Sequence, residues 1–385
     1  MQTSSTSALS KTATFLFVAF FLGGSLLNLV WPYQEFSASE NRFLAKMPVF
    51  SWESLISGEF TGDFETFLTD QFPLREFWVS VKSDTERYLQ KKENNGVYFA
   101  KDHSLIERFD QPDLSKSQKN LSFIAEFAER ISLPVHIAWI PTATEIQKHK
   151  LPSFASPVDQ AAYVQTLIQG AAGSSSYYGS EIWQGLYENA EEALYFNTDH
   201  HWTALGAFRF YQTLMPFLGY EPYSENSFQR EVVNDEFYGT LDAKAGGGYA
   251  QADQIERWQL VEPTTNPSFE VLIPDSNHEG NSFFFPERLL EKDKYTYYLD
   301  GNHALTLMRN QELPQGKRLL VIKDSFSHVL APFLAYHYAE VHLLDLRYYN
   351  RSVDEYLLEQ QIDEVLVLYS TRQFSVDNHL FKISD

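Results

Sequence analysis

Two short stretches concentrate the residue types that carry acid–base and nucleophilic chemistry. The first is Asn197-Thr198-Asp199-His200-His201-Trp202-Thr203. An Asp two residues before a His can, in a tight turn, accept the imidazole Nδ1 proton. That fixes the tautomer and leaves Nε2 to take a proton from a neighbour. The second is Leu319-Leu320-Val321-Ile322-Lys323-Asp324-Ser325-Phe326-Ser327. A continuous apolar strand ends at Lys323 and a helix starts at once, so Ser325 is expected at a strand-to-helix turn with helix N–H groups behind it. Together the stretches supply Ser325, His201 and Asp199, the set that serine-based acyl transfer requires.

Each stretch also has a plainer reading. Asp199 or Thr198 can cap the next helix while both His pack as neutral rings, and Ser325 or Ser327 can be a simple N-cap. Asp199, His200 and His201 also match imidazole–carboxylate metal ligation. Adjacent His side chains diverge and no third distant ligand is evident, so no metal and no cofactor are expected. His328 is a rival base on the helix after Ser325, but its only orienting acid would be Asp324. Catalytic Ser325, His201 and Asp199 are therefore the primary assignment.

The elements around these stretches alternate. Helix signals at 121–131, 183–192, 204–218, 327–338 and 353–361 are interleaved with strand signals at 134–140, 194–196, 318–322, 341–346 and 362–369. That order implies right-handed crossovers and a mostly parallel sheet covered on both faces. It also puts both candidate loops at carboxyl ends of strands, where open α/β sheets hold their sites. Residues 220–317 are aromatic, Pro- and Gly-rich and poorly periodic, and read as an irregular insertion. The one low-complexity patch is at 170–176, rich in Gly and Ser.

The chain has 385 residues with 30 Lys and Arg against 51 Asp and Glu, a formal charge of −21. Nucleic acid is excluded as a partner, because that affinity needs a basic footprint. With no cysteine, disulfides, thiol nucleophiles and Cys-ligated zinc are excluded too. Residues 13–31 are apolar apart from Thr14, Ser25 and Asn28, with Gly23 and Gly24 inside. At helical rise this run covers ~28 Å. No small-x-small cleavage site follows, so it is read as an uncleaved single-pass anchor with everything after residue 32 outside the cytoplasm. The expected domains are 1–39 (cytoplasmic tail, transmembrane anchor and linker), a helical neck at 40–95, and an α/β body at 96–385 carrying the insertion.

Asp199-His200-His201-Trp202, followed downstream by Lys323-Asp324-Ser325-Phe326, resembles the DHHW protein family, which is akin to the SGNH-like O-acetyltransferases of alginate acetylation. Ser39-Glu40-Asn41-Arg42, Asp70-Gln71-Phe72-Pro73-Leu74-Arg75, Tyr238-Gly239-Thr240-Leu241, Asp345-Leu346-Arg347-Tyr348-Tyr349 and residues 363–369 extend the resemblance. It implies an SGNH-hydrolase-like three-layer α/β/α body with Ser325 as nucleophile, His201 as general base and Asp199 as its orienter. The order of these motifs is reversed relative to typical SGNH hydrolases, Lys323-Asp324 stands where Gly-Asp is usual, and Asp199 and His201 are one residue closer. Backbone N–H groups at Ser325 and Phe326 are the expected oxyanion donors, with Tyr369 and Arg372 as further candidates and His200 and Trp202 as pocket-lining residues. The implied role is acetyl transfer in the bacterial cell envelope to an exported polysaccharide, from an acyl donor such as a membrane acyl-transfer protein. A carbohydrate esterase with the same triad, or a non-catalytic glycan-binding protein for envelope assembly, are the alternatives.

Overall fold

The computed structural model describes residues 3–37, 42–171, 173, 175–261 and 268–384. The chain divides into two compact units, Met1–Lys91 and Lys92–Asp385.

The first unit is helical: α1 (Thr3–Val30), α2 (Trp52–Ser57), α3 (Glu59–Asp70) and α4 (Arg75–Tyr88). The Ser51 hydroxyl accepts the Ser54 N–H at 3.0 Å and so starts α2. Gly58 ends it at φ 83°, a left-handed conformation that glycine adopts freely. The stretch at Asp70-Gln71 ties the unit together. The Asp70 carboxylate accepts the Ala45 N–H at 2.8 Å, and the Gln71 amide bonds both the N–H and the carbonyl of Gln34, at 3.0 and 2.8 Å. Ser39, Glu40 and Asn41 lie outside the described residues, as do positions 172 and 174 of the Gly/Ser patch.

The anchor expected at 13–31 falls on α1, but among the described residues no helix is long and apolar enough to cross a membrane. Gly23, Gly24, Ser25 and Asn28 interrupt the apolar run.

The second unit begins with a small antiparallel sheet that includes β1 (Val97–Phe99) and β2 (Leu105–Glu107), then α5 (Leu114–Arg130), β3 (Val135–Ile140), α6 (Gln160–Gln169) and β4 (Ser176–Tyr178). After α7 (Ala204–Leu214) comes a long hairpin, β5 (Phe228–Phe237) and β6 (Asp253–Leu260), with the short helix α8 (Thr240–Ala245) in its loop. The chain continues through β7 (Phe269–Ile273), β8 (His278–Gly280), β9 (Leu305–Asn310), β10 (Arg318–Lys323), α9 (Ser327–Ala335), β11 (Glu340–Leu344), α10 (Val353–Gln360), β12 (Glu364–Ser370) and α11 (Thr371–Val376).

Eight strands form the central sheet in the order β8-β7-β9-β11-β10-β12-β3-β4. The β11-β10-β12-β3-β4 half is parallel, whereas β8, β7 and β9 join antiparallel. The sheet is therefore mixed rather than mostly parallel. The antiparallel strands come from the region read as an irregular insertion. They are short, and β7 buries only Phe269, Val271 and Ile273 in alternation before Pro274 ends it. The parallel strands are buried on both faces, as crossover helices demand: every residue of β12 and five of six in β10 are buried. Helix α9 packs on β9 and β11, and α7 packs on α9; α5 packs with α6 and α11.

The strand expected at 194–196 is not formed. Tyr195 makes a single bridge to Trp202 instead, and the Phe196 N–H bonds the His201 carbonyl at 3.2 Å. The segment folds back on itself, so the Asp199 loop stands ahead of α7 and outside the central sheet.

Candidate active site

Ser325 stands at the carboxyl end of β10, where Asp324 makes the turn. The Asp324 carboxylate accepts the Phe326 N–H at 3.0 Å and the Ser370 N–H at 2.8 Å, which staples the end of β10 to the end of β12. Burial pushes the Asp324 carboxyl above its usual range, opposed by those hydrogen bonds. Ser325 is thereby held half-exposed above buried neighbours.

The Asp199 loop is held by three sets of contacts. Thr203 caps α7 through Gly206 N–H, and the Thr203 N–H bonds Leu194 O at 2.9 Å. A Cβ at Gly206 would lie 2.1 Å from Leu194 O, so only glycine permits this closure. The buried Asp253 carboxylate receives the backbone N–H groups of Asn197 and Thr198 at 2.8 and 2.7 Å and the Thr198 hydroxyl at 2.6 Å. Gly239 lies so close to Asp199 that a Cβ there would come 2.3 Å from the Asp199 Cβ.

Between these supports the three candidate side chains line up. Asp199 Oδ1 accepts from His201 Nδ1 at 2.6 Å and from the His201 backbone N–H at 3.1 Å. His201 Nε2 lies 2.8 Å from Ser325 Oγ, across a separation of 124 residues. Asp199 Oδ2 accepts the Thr240 N–H at 2.8 Å and the Thr240 hydroxyl at 2.9 Å. Burial raises the Asp199 pKa, but His200, His201 and these donors outweigh it and hold the carboxyl well below its usual range. Burial pushes His201 down, His200 adds to this, and Asp199 opposes both; the result is about 4. An imidazole that is neutral at physiological pH and bonded to a hydroxyl is competent as a base.

Tyr295 completes the arrangement from the far end of the irregular region. Its ring stacks on His201 at 3.8 Å between centroids and 7° between planes, and its hydroxyl donates to Ser325 O at 2.9 Å. The buried Trp202 donates its indole N–H to Phe326 O at 2.9 Å, pinning the Ser325 turn to the Asp199 loop. Neither Tyr295 nor the supporting Asp253 carries a signal in the sequence, where Tyr295 is one of 22 tyrosines in the chain, whereas Thr240 lies in the Tyr238-Gly239-Thr240-Leu241 stretch that extends the resemblance without any role being read from it.

Ser325, His200 and Phe326 face a small open cleft of about 60 Å³, with Glu107, Arg347 and Arg372 among its other lining residues. Arg372 is 3.4 Å from Glu107. Burial raises the Glu107 pKa, but its neighbours Arg372, His200 and Lys244 bring it below the usual range.

Two expected oxyanion donors are placed otherwise. The Phe326 N–H is already spent on Asp324. Tyr369 is buried against Phe374 within β12 and does not line the cavity, because alternation along the strand turns it into the core. The Ser325 N–H has no protein partner among the described residues. His328 is no rival base: it is buried, its Nε2 is 2.9 Å from the Lys323 ammonium, and burial and that charge hold its pKa well below the ordinary value. Asp199, His200 and His201 do offer ligand atoms within 4.8 Å of one another. Both nitrogens of His201 and Nδ1 of His200 are nonetheless engaged in hydrogen bonds.

Residues 176–344 match the family described as DHHW protein. The matched stretch runs from β4 to β11 and so contains the Asp199 loop, Tyr295 and Ser325. No curated protein matches the chain in sequence. Among solved structures, a DHHW family protein from Eubacterium siraeum is 18% identical with a TM-score of 0.64, covering 76% of this chain and 95% of its own. Bacillus cereus PatB1 is 20% identical with a TM-score of 0.61, covering 73% of this chain and 97% of its own. A second PatB1 structure, with a sulfonyl adduct, gives 20% and 0.60 over 75% and 98%. At these identities the likeness is one of fold: a mixed α/β body around a large sheet.

Proposed function

We propose that this chain is a serine O-acyltransferase of SGNH type that moves an acetyl group from an acyl donor to a hydroxyl of a cell-envelope polysaccharide. The observation that carries the reading is the unbroken chain from Asp199 through His201 to Ser325, at 2.6 and 2.8 Å, beside an open cavity.

In the first half-reaction Ser325 Oγ attacks the donor's acyl carbon while His201 Nε2 takes its proton. The Ser325 N–H, which has no protein partner among the described residues, receives the oxyanion in this reading. Collapse breaks the bond to the leaving group, which receives the proton from His201, and leaves acetyl-Ser325. In the second half His201 takes the proton of the acceptor hydroxyl, the acceptor oxygen attacks the acetyl carbon, and the proton returns to Ser325. Asp199 keeps the Nδ1–H tautomer and balances the transient imidazolium. Arg372 on the cavity wall contacts substrate in this reading.

Placement outside the cytoplasm and attachment to the envelope through α1 belong to the same proposal. They are supported by the exposed apolar side chains Phe15, Leu16, Phe17 and Phe20 on that helix. The test is turnover of an activated acetyl ester with and without a glycan acceptor. Ser325→Ala is expected to abolish both the initial burst and the transfer. Full activity in that variant would refute the proposal.

A further inference from the structure

We propose that His200 is the acceptor-binding residue and that it selects a polyol carrying two neighbouring hydroxyl groups, a deepening that rests on the acyltransfer reading above. The argument follows the protons around Asp199. That carboxylate is ionised and can only accept. The Thr240 hydroxyl has a single proton and lies 2.9 Å from Asp199 Oδ2, so the proton points there. Only an oxygen lone pair of Thr240 then remains for His200 Nδ1, also at 2.9 Å. Nδ1 of His200 must therefore carry the hydrogen, and in the neutral ring Nε2 is a bare acceptor.

That acceptor atom has no protein partner among the described residues. The side chain keeps 31% of its surface exposed and lines the same cavity as Ser325. Its ring centroid is 3.9 Å from that of His201. Asp199 thus orients two imidazoles: His201 directly and His200 through Thr240. His201 addresses the hydroxyl that reacts. His200 offers a second lone pair from the neighbouring ring, and in this proposal that lone pair takes a hydroxyl on the adjoining carbon. Water and simple alcohols can satisfy only the first of these sites, whereas a sugar with vicinal hydroxyls satisfies both.

The test measures selectivity rather than rate. The protein is acetylated from p-nitrophenyl acetate in the presence of a vicinal diol (a methyl pyranoside) or of a monoalcohol (propanol), and the transferred and hydrolysed products are quantified. His200→Phe is expected to lower the preference for the diol over propanol about tenfold, the worth of one hydrogen bond to a neutral group. His200→Gln, whose amide oxygen can stand in for Nε2, is expected to retain most of the preference, and His200→Ala, which removes Nε2 without adding bulk, is expected to lose it and covers the case in which the Phe variant does not fold. Diol preference equal to wild type in the Phe or the Ala variant overturns the inference, whatever happens to the total rate. Equal losses with diol and propanol overturn it as well, since His200 would then be serving His201. A burst that persists in Ser325→Ala would instead refute the acyltransfer reading, so the two failures are distinguishable.

Discussion

Replacing Asp199 by Asn tests the proposed triad most sharply, because the side chain has no satisfactory way to sit. The carboxylate accepts four hydrogen bonds: His201 N–H and Nδ1–H on one oxygen, Thr240 N–H and O–H on the other. With the amide oxygen toward His201, the amide NH₂ faces the Thr240 N–H, and a buried donor is left unmet at ~1–3 kcal/mol. With the amide reversed, NH₂ faces His201 Nδ1 and forces the imidazole proton to Nε2, the atom that must accept from Ser325. Either way the negative charge opposing the imidazolium is gone. A loss of ~10³–10⁴ in kcat/KM is expected from the wrong tautomer and the lost charge together, which corresponds to ~4–5.5 kcal/mol of transition-state stabilisation. Stopped-flow acylation by p-nitrophenyl acetate measures it. The acid limb of the rate should also move below about 4, since Asp199 is the group that favours the protonated ring. A folded Asp199→Asn protein within tenfold of wild type would refute the assignment of Asp199.

Two further outcomes follow from the same geometry. Tyr295→Phe keeps the ring on His201 and loses only the bond to Ser325 O, so a ~3–10-fold loss in acylation is expected. Tyr295→Leu loses the stack as well and should fall at least another order of magnitude in the same assay. Acid should weaken the fold, and the sign can be worked out. Burial lowers His201 and His337 to about 4 in the folded state, against 6.5 unfolded. Between those values the unfolded chain binds protons that the folded chain refuses, so stability is full above pH 6.5 and is lost as pH falls toward 4. Asp253 runs the other way: burial raises it to about 6, so the folded state gains a proton in that window and offsets part of the loss. Thermal melts at pH 7 and pH 4.5 should show a lower Tm in acid, and Asp253→Asn should steepen the fall; a flat profile would contradict both.

What the sequence displays of the site is what local chain geometry decides. An Asp two residues before a His can close a bond within one turn, and an apolar run that meets a helix start leaves a serine at the bend; both outcomes depend on neighbours in the chain. The supports are different in kind. Asp253, Thr240 and Tyr295 meet Thr198, Asp199 and Ser325 from 55, 41 and 30 residues away, and they arrive from the region between α7 and β10 whose composition shows no period. The same region hides β7, β8 and β9, so all of the sheet's antiparallel pairing is invisible in strands of only three to six residues. Oxyanion donors fare worst. A strand-to-helix turn advertises free N–H groups, but Asp324, one residue before the serine, takes the Phe326 N–H for itself.

These long-range supports explain why the reactive groups can stay aligned without substrate. Ser325 is fixed through its turn by Asp324, through its carbonyl by Tyr295, and through the next residue's carbonyl by Trp202. His201 is fixed at one nitrogen by Asp199, on one face by Tyr295, and by the tilted ring of His200 3.9 Å away. Each hydrogen bond is worth only ~0.5–1.5 kcal/mol. In the proposed reaction their value lies in ordering the base and the nucleophile before a donor arrives, so that the entropy of alignment is not charged to the reaction. The cavity side of this assembly contrasts with that rigidity. His200 and Arg372 are partly exposed there, and it is on this side that the proposed acceptor recognition lies.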